Sequence, residues 1–142
     1  MKKFLLLGLL LTAVLPFSAR AENVIGPTNV IMCNKVAFAA PATAATTQVI
    51  AGVTGTTINI CGWHVTSNQS ASTTFQFEYG IGATCGVSTV TFTPAFSVTS
   101  TAPSADRQQY AYISTPAGSG VCVVSAGATV GLSVMIWYST LP

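Results

Sequence analysis

Hydrophobic and polar residues alternate along several stretches of the chain, and this alternation predicts β-strands. In residues 74–79 the aromatic residues fall on one side and the polar residues on the other: Phe75, Phe77 and Tyr79 against Gln76 and Glu78. Because successive side chains of a strand point to opposite faces, the pattern is typical of a half-buried strand. Residues 129–140 alternate in the same way, with one side made of Val130, Leu132, Val134, Ile136 and Tyr138.

A further strand is predicted over residues 58–65. Strict alternation there gives two sides: Ile58, Ile60, Gly62 and His64 against Asn59, Cys61, Trp63 and Val65. The β-branched run at residues 121–124 holds Cys122 and also predicts a strand. Weaker patterns predict strands at residues 35–39, 47–51, 88–92, 95–99 and 109–113. No segment after residue 21 keeps the 3.6-residue period of a helix.

Turn-forming segments separate these strands and indicate the fold class. They are rich in Gly, Ser, Asn or Pro and lie at residues 51–55, 66–73, 80–86 and 116–120. Strands that recur about every ten residues with such turns predict an all-β antiparallel β-sandwich, either a jelly roll or an immunoglobulin-like fold. The count of eight or nine strands favours the jelly-roll-like arrangement.

Residues 1–21 have the three parts of a secretory signal peptide. Lys2 and Lys3 form a positive start, residues 4–15 form an apolar run, and Ala19 and Ala21 frame a cleavage site. The apolar run is shorter than the roughly 20 residues that span a bilayer. We therefore expect an exported protein, periplasmic or extracellular, with no membrane segment after cleavage. Residues 22–142 are expected to form a single domain that begins with an extended arm at residues 22–32.

The chain is poor in charge, and most of its positive charge lies in the predicted leader. The whole sequence has a formal net charge of +2. The part from residue 22 keeps two basic residues against three acidic ones, which gives a formal charge of −1: Lys35 and Arg107 against Glu22, Glu78 and Asp106. Nucleic-acid binding is excluded because it needs several clustered Lys or Arg side chains. A surface with few charges repels its own copies weakly, which suits assembly into a lattice, although hydroxyl-rich surfaces are also common in secreted β-domains.

Four cysteines, all after the predicted leader, indicate two disulfide bonds in an exported chain. Three pairings are open, and we favour Cys33–Cys61 with Cys85–Cys122 because each bond then closes a moderate loop between neighbouring segments. A zinc site is the competing interpretation, since Cys61 and His64 have C-x-x-H spacing. It is disfavoured because the other cysteines stand alone and because positions 61 and 64 point to opposite faces of a regular strand.

The sequence contains no recognisable catalytic arrangement, so we predict no enzymatic activity, no metal and no cofactor. A serine hydrolase would need His64 and Asp106 as base and orienting carboxylate, and no G-x-S-x-G segment presents a serine. The three acidic residues after the leader are more simply interpreted as solvated charges than as a glycosidase pair. A small hydrolase built on His64 is therefore the weakest functional hypothesis.

Several aromatic residues are candidates for a binding surface. They could form a flat platform for sugar rings, since amphipathic rings suit carbohydrate and protein interfaces: Trp63, Trp137, Tyr110 and Tyr112. The simpler interpretation places most of them in the core or in cross-strand pairs. Because Trp63 and Trp137 lie opposite the more aliphatic sides of their strands, we expect one of the two to be exposed.

Three parts of the sequence together resemble a known group of proteins. They are ICGW at residues 60–63, FQFEYGIG with CG at 75–82 and 85–86, and PAG with VCV at 116–118 and 121–123. Over residues 33–138 the chain resembles small four-cysteine β-sandwich proteins encoded in tailed-phage and environmental viral genomes. The resemblance implies a role as a virion-surface or decoration protein, with no catalytic or ligand residue to transfer.

These observations favour a non-enzymatic structural or interaction protein. The first hypothesis is a virion-surface or decoration-type assembly protein that forms homo-oligomers or a protein lattice. It follows from the resemblance, the scarcity of charge and the predicted sandwich. The alternative is a secreted adhesin-like or lectin-like binding module with a glycan as its partner, which follows from the leader, the disulfide bonds and the aromatic residues.

Overall fold

The computed structural model describes residues 30–107 and 111–142. The predicted signal peptide, most of the predicted arm and Tyr110 lie outside these residues. The described part has no helix long and apolar enough to cross a membrane. It consists of ten strands: β1 (Lys35–Ala39), β2 (Thr46–Ile50), β3 (Thr57–Ser67), β4 (Thr73–Ile81), β5 (Val87–Thr91), β6 (Phe96–Val98), β7 (Ser104–Arg107), β8 (Ile113–Ser114), β9 (Gly120–Ala126) and β10 (Leu132–Leu141).

The strands form two antiparallel sheets that face each other in a sandwich-like arrangement. The first sheet has the order β1-β10-β3-β7, and β8 also pairs with β3. The second has the order β2-β9-β4-β5, and β6 also pairs with β4. Side chains of the two sheets meet between them, where the ring centroids of Trp63 on β3 and Phe77 on β4 are 5.4 Å apart. The prediction of an all-β antiparallel fold is confirmed.

Most of the predicted strands are present at or close to their predicted positions. The strand at residues 35–39 has the predicted bounds, and the strong alternation at residues 129–140 corresponds to Leu132–Leu141. The strand predicted at residues 109–113 is met only at Ile113, because the described residues 111 and 112 lie outside any strand. The pattern does not predict β7, since Ser104–Arg107 shows no alternation of apolar residues.

The inner sides of the central strands form the core. The apolar side predicted for residues 129–140 belongs to it, since four of its members are at most 8% exposed: Val130, Leu132, Val134 and Ile136. Phe75 and Phe77 complete the core from β4, with 1% and 0% exposure. The clean alternation of these two segments therefore identified buried side chains correctly.

The two sides of β3 differ from those that strict alternation predicts. Ile60 and Trp63 are predicted on opposite sides, yet both are buried in the core, with 1% and 4% exposure. Val65 follows Trp63 into the core with 0% exposure. The assignment of sides is therefore wrong for the second half of this strand.

A β-bulge explains the change of side. On β10, the consecutive residues Trp137 and Tyr138 pair with Gly62 and Ile60, so Cys61 is an extra residue on β3. One extra residue shifts the alternation of all later side chains by one position. Glycine within a strand often marks such a bulge, and Gly62 was the available signal in the sequence.

Both disulfide bonds have the pairing favoured from the sequence, Cys33–Cys61 and Cys85–Cys122. The first ties the segment before β1 to β3, and the second ties the β4–β5 turn to β9. The paired cysteines are 28 and 37 residues apart in sequence. Loops of this length correspond to about 3–4 kcal/mol of stabilisation per bond through the unfolded chain. Two such bonds are typical of an oxidising, exported environment.

Candidate interaction surface

The aromatic residues singled out in the sequence do not form one platform. Trp63 lies in the core with 4% exposure, and its buried indole nitrogen has no hydrogen-bond partner in the described structure. Trp137 is half-buried on β10 and does not belong to the core. Tyr112 is 42% exposed, and its ring is tilted against that of Trp63, with 6.2 Å between ring centroids. Neither tryptophan is thus fully exposed, and Trp137 is the more accessible of the two.

The position of Trp137 follows from its neighbours on β10. Ile136 is in the core with 1% exposure. Because side chains alternate along a strand, Met135 and Trp137 point away from the second sheet. We call this side of the first sheet its outer side.

The edge strand β1 adds two large apolar residues to the outer side. Val36 pairs directly with Trp137, and Phe38 pairs directly with Met135. Directly opposed residues of antiparallel strands share a side and lie close together. We call the group formed by Val36, Phe38, Met135 and Trp137 the outer apolar face. Its exposure is high at β1, with 70% for Phe38 and 44% for Val36.

The other flank of the outer apolar face is formed by β3. Gly62 pairs with Trp137 and contributes no side chain to the outer side. His64 pairs with Met135 and therefore lies on the outer side. Beyond it, Ala105 of β7 pairs with His64. The predicted grouping of His64 with Ile60 is thus wrong, and the bulge turns His64 into a polar border of the apolar face.

Two cationic residues flank the outer apolar face, Lys35 on β1 and Arg107 on β7, which pairs with Gly62. Lys35 begins β1, and its ammonium group donates a hydrogen bond to the hydroxyl of Thr140 at 2.6 Å. The same ammonium group lies 5.9 Å from the centre of the Tyr138 ring. These contacts hold the cation at the end of β1, while Val36 and Phe38 carry no charge. The face is therefore suited to an apolar or aromatic partner surface.

A second, smaller cluster surrounds Tyr112. Its hydroxyl shares a hydrogen bond with the carboxylate of Asp106, and Asp106 pairs with Trp63 across β7 and β3. Burial and then the nearby negative charge of Asp106 raise the pKa of the Tyr112 hydroxyl above its ordinary value. The hydroxyl therefore remains a protonated donor at physiological pH.

The residues considered for catalysis lie apart. His64 is on the outer side of β3, whereas Asp106 pairs with Trp63, which points to the inner side. Glu78 is on β4 of the second sheet and is 8% exposed, so its interpretation as a solvated charge is wrong. Residues 30–107 and 111–142 contain no group of three His, Cys, Asp or Glu side chains that could hold a metal ion. Glu22 lies outside the described residues.

A shallow cleft of about 450 Å³ lies at one end of the sandwich. It is formed where residues 42–44 approach residues 127–130, with Gln69 beside them. The amide nitrogen of Gln69 donates to the side-chain oxygen of Asn68 at 2.7 Å. The lining of the cleft consists of small residues and neutral polar groups. It contains no aromatic ring on which a sugar could stack.

Comparison with known proteins finds no matching family model, no similar curated protein and no similar solved structure.

Sequence reasoning singled out Trp137 but missed Val36 and Phe38. In the segment 35–39 one side carries Lys35, Ala37 and Ala39 and the other carries Val36 and Phe38, so alternation alone would place Val36 and Phe38 in the core. The pairing of Ala37 with the buried Ile136 settles the orientation, and this contact joins residues 99 positions apart in the chain. The exposed pair Val36 and Phe38 is therefore visible only in the folded structure.

Proposed function

We propose that this chain is a non-enzymatic, exported structural protein that associates with further copies of itself through the outer apolar face. The observation that carries the proposal is the exposure of Phe38, at 70%, within a row of large apolar residues on a paired strand. Contiguous exposed apolar side chains on a soluble domain are typical of protein interfaces. The scarcity of charge on the chain supports self-association, because identical copies repel one another weakly.

The free energy gained by burying the side chains of the outer apolar face is large enough to drive assembly. Covering a Val, Phe or Met side chain stabilises by about 1.5–3 kcal/mol when the side chain passes from full exposure to full burial. Phe38 and Val36 are positioned by backbone pairing with β10, so little backbone freedom is lost when they dock. Trp137 adds an aromatic ring of the kind that carries a large share of interface energy.

We propose further that the sandwich is a jelly roll. The strand order supports this, because β1, β3 and β10 belong to one sheet while β2, β4 and β9 belong to the other. The last two strands insert between the early ones, β10 between β1 and β3, and β9 between β2 and β4. Jelly rolls occur in viral capsid proteins and in lectins, so the architecture is compatible with assembly and with glycan binding without deciding between them.

Export is part of the proposal. The two disulfide bonds support it, and the signal-peptide pattern of residues 1–21 agrees with them. A virion surface is one setting in which such an assembly protein would work, and the resemblance to viral β-sandwich proteins is the only support for that setting.

The test is the association state of the oxidised, secreted protein. Light scattering over a range of concentrations is expected to show a concentration-dependent oligomer. Replacing Phe38 by Ser is expected to raise the dissociation constant about 10- to 100-fold, because part of the burial of Phe38 is lost in each of the two copies. Val87→Ser is the matched control, since Val87 is 60% exposed on β5 of the second sheet. A wild-type chain that stays monomeric up to about 1 mM would refute the proposal.

The alternative function is glycan binding at the cluster around Tyr112. The specific observation in its favour is an aromatic ring, 42% exposed, whose hydroxyl is held by the carboxylate of Asp106. Ring stacking combined with an oriented polar group suits sugars. A rise in melting temperature with a panel of oligosaccharides, lost in Tyr112→Ala, would support this function. If no neutral or acidic glycan in the panel raises the melting temperature, the result would argue against glycan binding.

A further inference from the structure

We propose that two copies of the chain join by antiparallel pairing of β1 with the partner's β1, so that the two first sheets become one continuous sheet. This inference rests on the proposed function and specifies the contact by which self-association occurs. It commits to a second copy as the occupant of the β1 edge. Pairing of this kind is isologous, because the same strand contributes from both copies.

The β1 edge is open to such pairing. Among the described strands, β1 pairs only with β10, so its other edge presents backbone N–H and C=O groups. All five residues of β1 pair with β10 in unbroken register. The strand contains no proline, and Val36 and Phe38 are exposed beside the edge. An edge strand with these properties is a template for a further strand.

The other edges of the two sheets are less suited to pairing. In β5 the register shifts between Tyr79 and Ile81 of its neighbour, and Ser88 has a left-handed backbone with φ of 52°. The register of β2 also shifts, between Gln48 and Ile50. Strand β7 has only four residues, and two of them, Asp106 and Arg107, are charged. Bulges and charges are common devices that protect sheet edges, and β1 lacks a bulge and carries a single charge at its end.

The composition of β1 favours one register. A two-fold axis at Ala37 places Val36 opposite the partner's Phe38, and Phe38 opposite the partner's Val36. Both pairs lie on the outer side, so they extend the outer apolar face of each copy into one face that crosses the junction. Cross-strand pairs of an aromatic and a β-branched residue are among the favourable ones in antiparallel sheets.

Charge is compatible with this register. Lys35 then lies opposite the uncharged Ala39 of the partner subunit. The two lysines are four residues apart along the paired strands, which is about 14 Å at 3.4 Å per residue. This separation exceeds the Debye length of about 8 Å at physiological ionic strength, so their repulsion is largely screened. The hydrogen bond from Lys35 to Thr140 of its own chain also keeps each cation away from the junction.

The register is tested by two charged variants, V36K and F38E, each made separately in the secreted protein. Alone, each variant places a charge opposite an apolar residue at both cross-strand pairs. We expect the dissociation constant of each to rise at least about 30-fold, since an unpaired interfacial charge is costly. In an equal mixture, one cross-strand pair joins a cation to an anion and the other keeps the native Val and Phe. The mixture is therefore expected to form heterodimers within about tenfold of the wild-type affinity.

Native mass spectrometry identifies the heterodimer, because the two variants differ in mass. V87K is the matched control, at an exposed position of β5, and it should neither weaken the wild-type contact nor form heterodimers preferentially with F38E. The positions changed are exposed, and a melting curve for each variant checks that the fold is retained. If the wild type associates but the mixture forms no excess of heterodimer, the β1 pairing is wrong while self-association stands. If the wild type does not associate, both are wrong.

Discussion

Glu78 is a carboxylic acid placed in a poorly hydrated position of the second sheet. It lies on β4, between Cys122 of β9 and Thr91 of β5, and the residue is 8% exposed. Burial raises the pKa of its carboxyl group from the ordinary value of 4.5, because loss of water disfavours the charged form. A group whose pKa is higher in the folded state stabilises the fold most at low pH. That contribution is lost as pH rises through the folded-state pKa.

We therefore predict that Glu78→Gln stabilises the protein at neutral pH. The amide keeps the shape of the side chain and removes the charge whose burial is unfavourable. Its advantage in melting temperature over the wild type should be largest near pH 7 and should shrink as the pH falls below 4.5, because the wild-type carboxyl then becomes protonated in both states. Thermal melts of both proteins near pH 7 and below pH 4.5 measure this difference. A difference that is the same at both pH values would show that burial of the charge is not its cause.

In individual strands, the alternation of polar and apolar residues predicts the buried side chains correctly where one side of the strand is polar and the other apolar. The alternation in β4 and β10 identifies Phe75, Phe77 and Ile136 as buried, because a half-buried strand needs this contrast. It failed on β3, where one extra residue at Cys61 changes the side of everything that follows. It also failed on β7, which pairs with β3 although its sequence is polar and charged. A bulge or an edge strand depends on the neighbouring strand, and alternation within one segment carries no information about that neighbour.

Near the end of β4, the surrounding backbone leaves no room for a side chain at Gly80. A Cβ atom added to Gly80 would lie 2.3 Å from the carbonyl oxygen of Cys85 and 3.0 Å from that of Val87. Both obstacles are backbone atoms, and Cys85 is fixed to β9 by its disulfide bond. Glycine is therefore required at this position by the close approach of the β4–β5 turn.

We predict that Gly80→Ala lowers the free energy of unfolding by about 1–3 kcal/mol, the usual cost of forcing an extra carbon into a packed site. Gly86→Ala is the matched control in the same turn, since the nearest atom to its added Cβ is the side-chain oxygen of Thr84 at 3.4 Å. The control should change stability by less than about 0.5 kcal/mol. Urea unfolding without reducing agent measures both variants. Equal losses in the two variants would contradict the steric argument.

The favoured disulfide pairing is confirmed by the structure, whereas most of the outer apolar face could not be predicted from the sequence. Each disulfide joins cysteines that are consecutive in the sequence, 28 and 37 residues apart, so a preference for moderate loops favoured Cys33–Cys61 and Cys85–Cys122 among the three possible pairings. The outer apolar face instead combines β1 with β10, the first and last strands of the described chain. Trp137 could be named from the sequence as a candidate, but its apolar neighbour Val36 depends on the strand order.

The proposed association should respond to salts in the manner of an apolar contact. From residue 22 onward the chain has two basic and three acidic residues, and of these only Lys35 lies on β1. We therefore predict that raising sodium chloride from about 50 to 500 mM changes the dissociation constant less than about threefold, because there is little charge to screen. Sulfate should strengthen association, since it favours burial of apolar surface. Light scattering in the two salts measures this. A tenfold or greater weakening in sodium chloride would indicate that ion pairs hold the copies together, with Lys35 or Arg107 of one copy against an acidic residue of another.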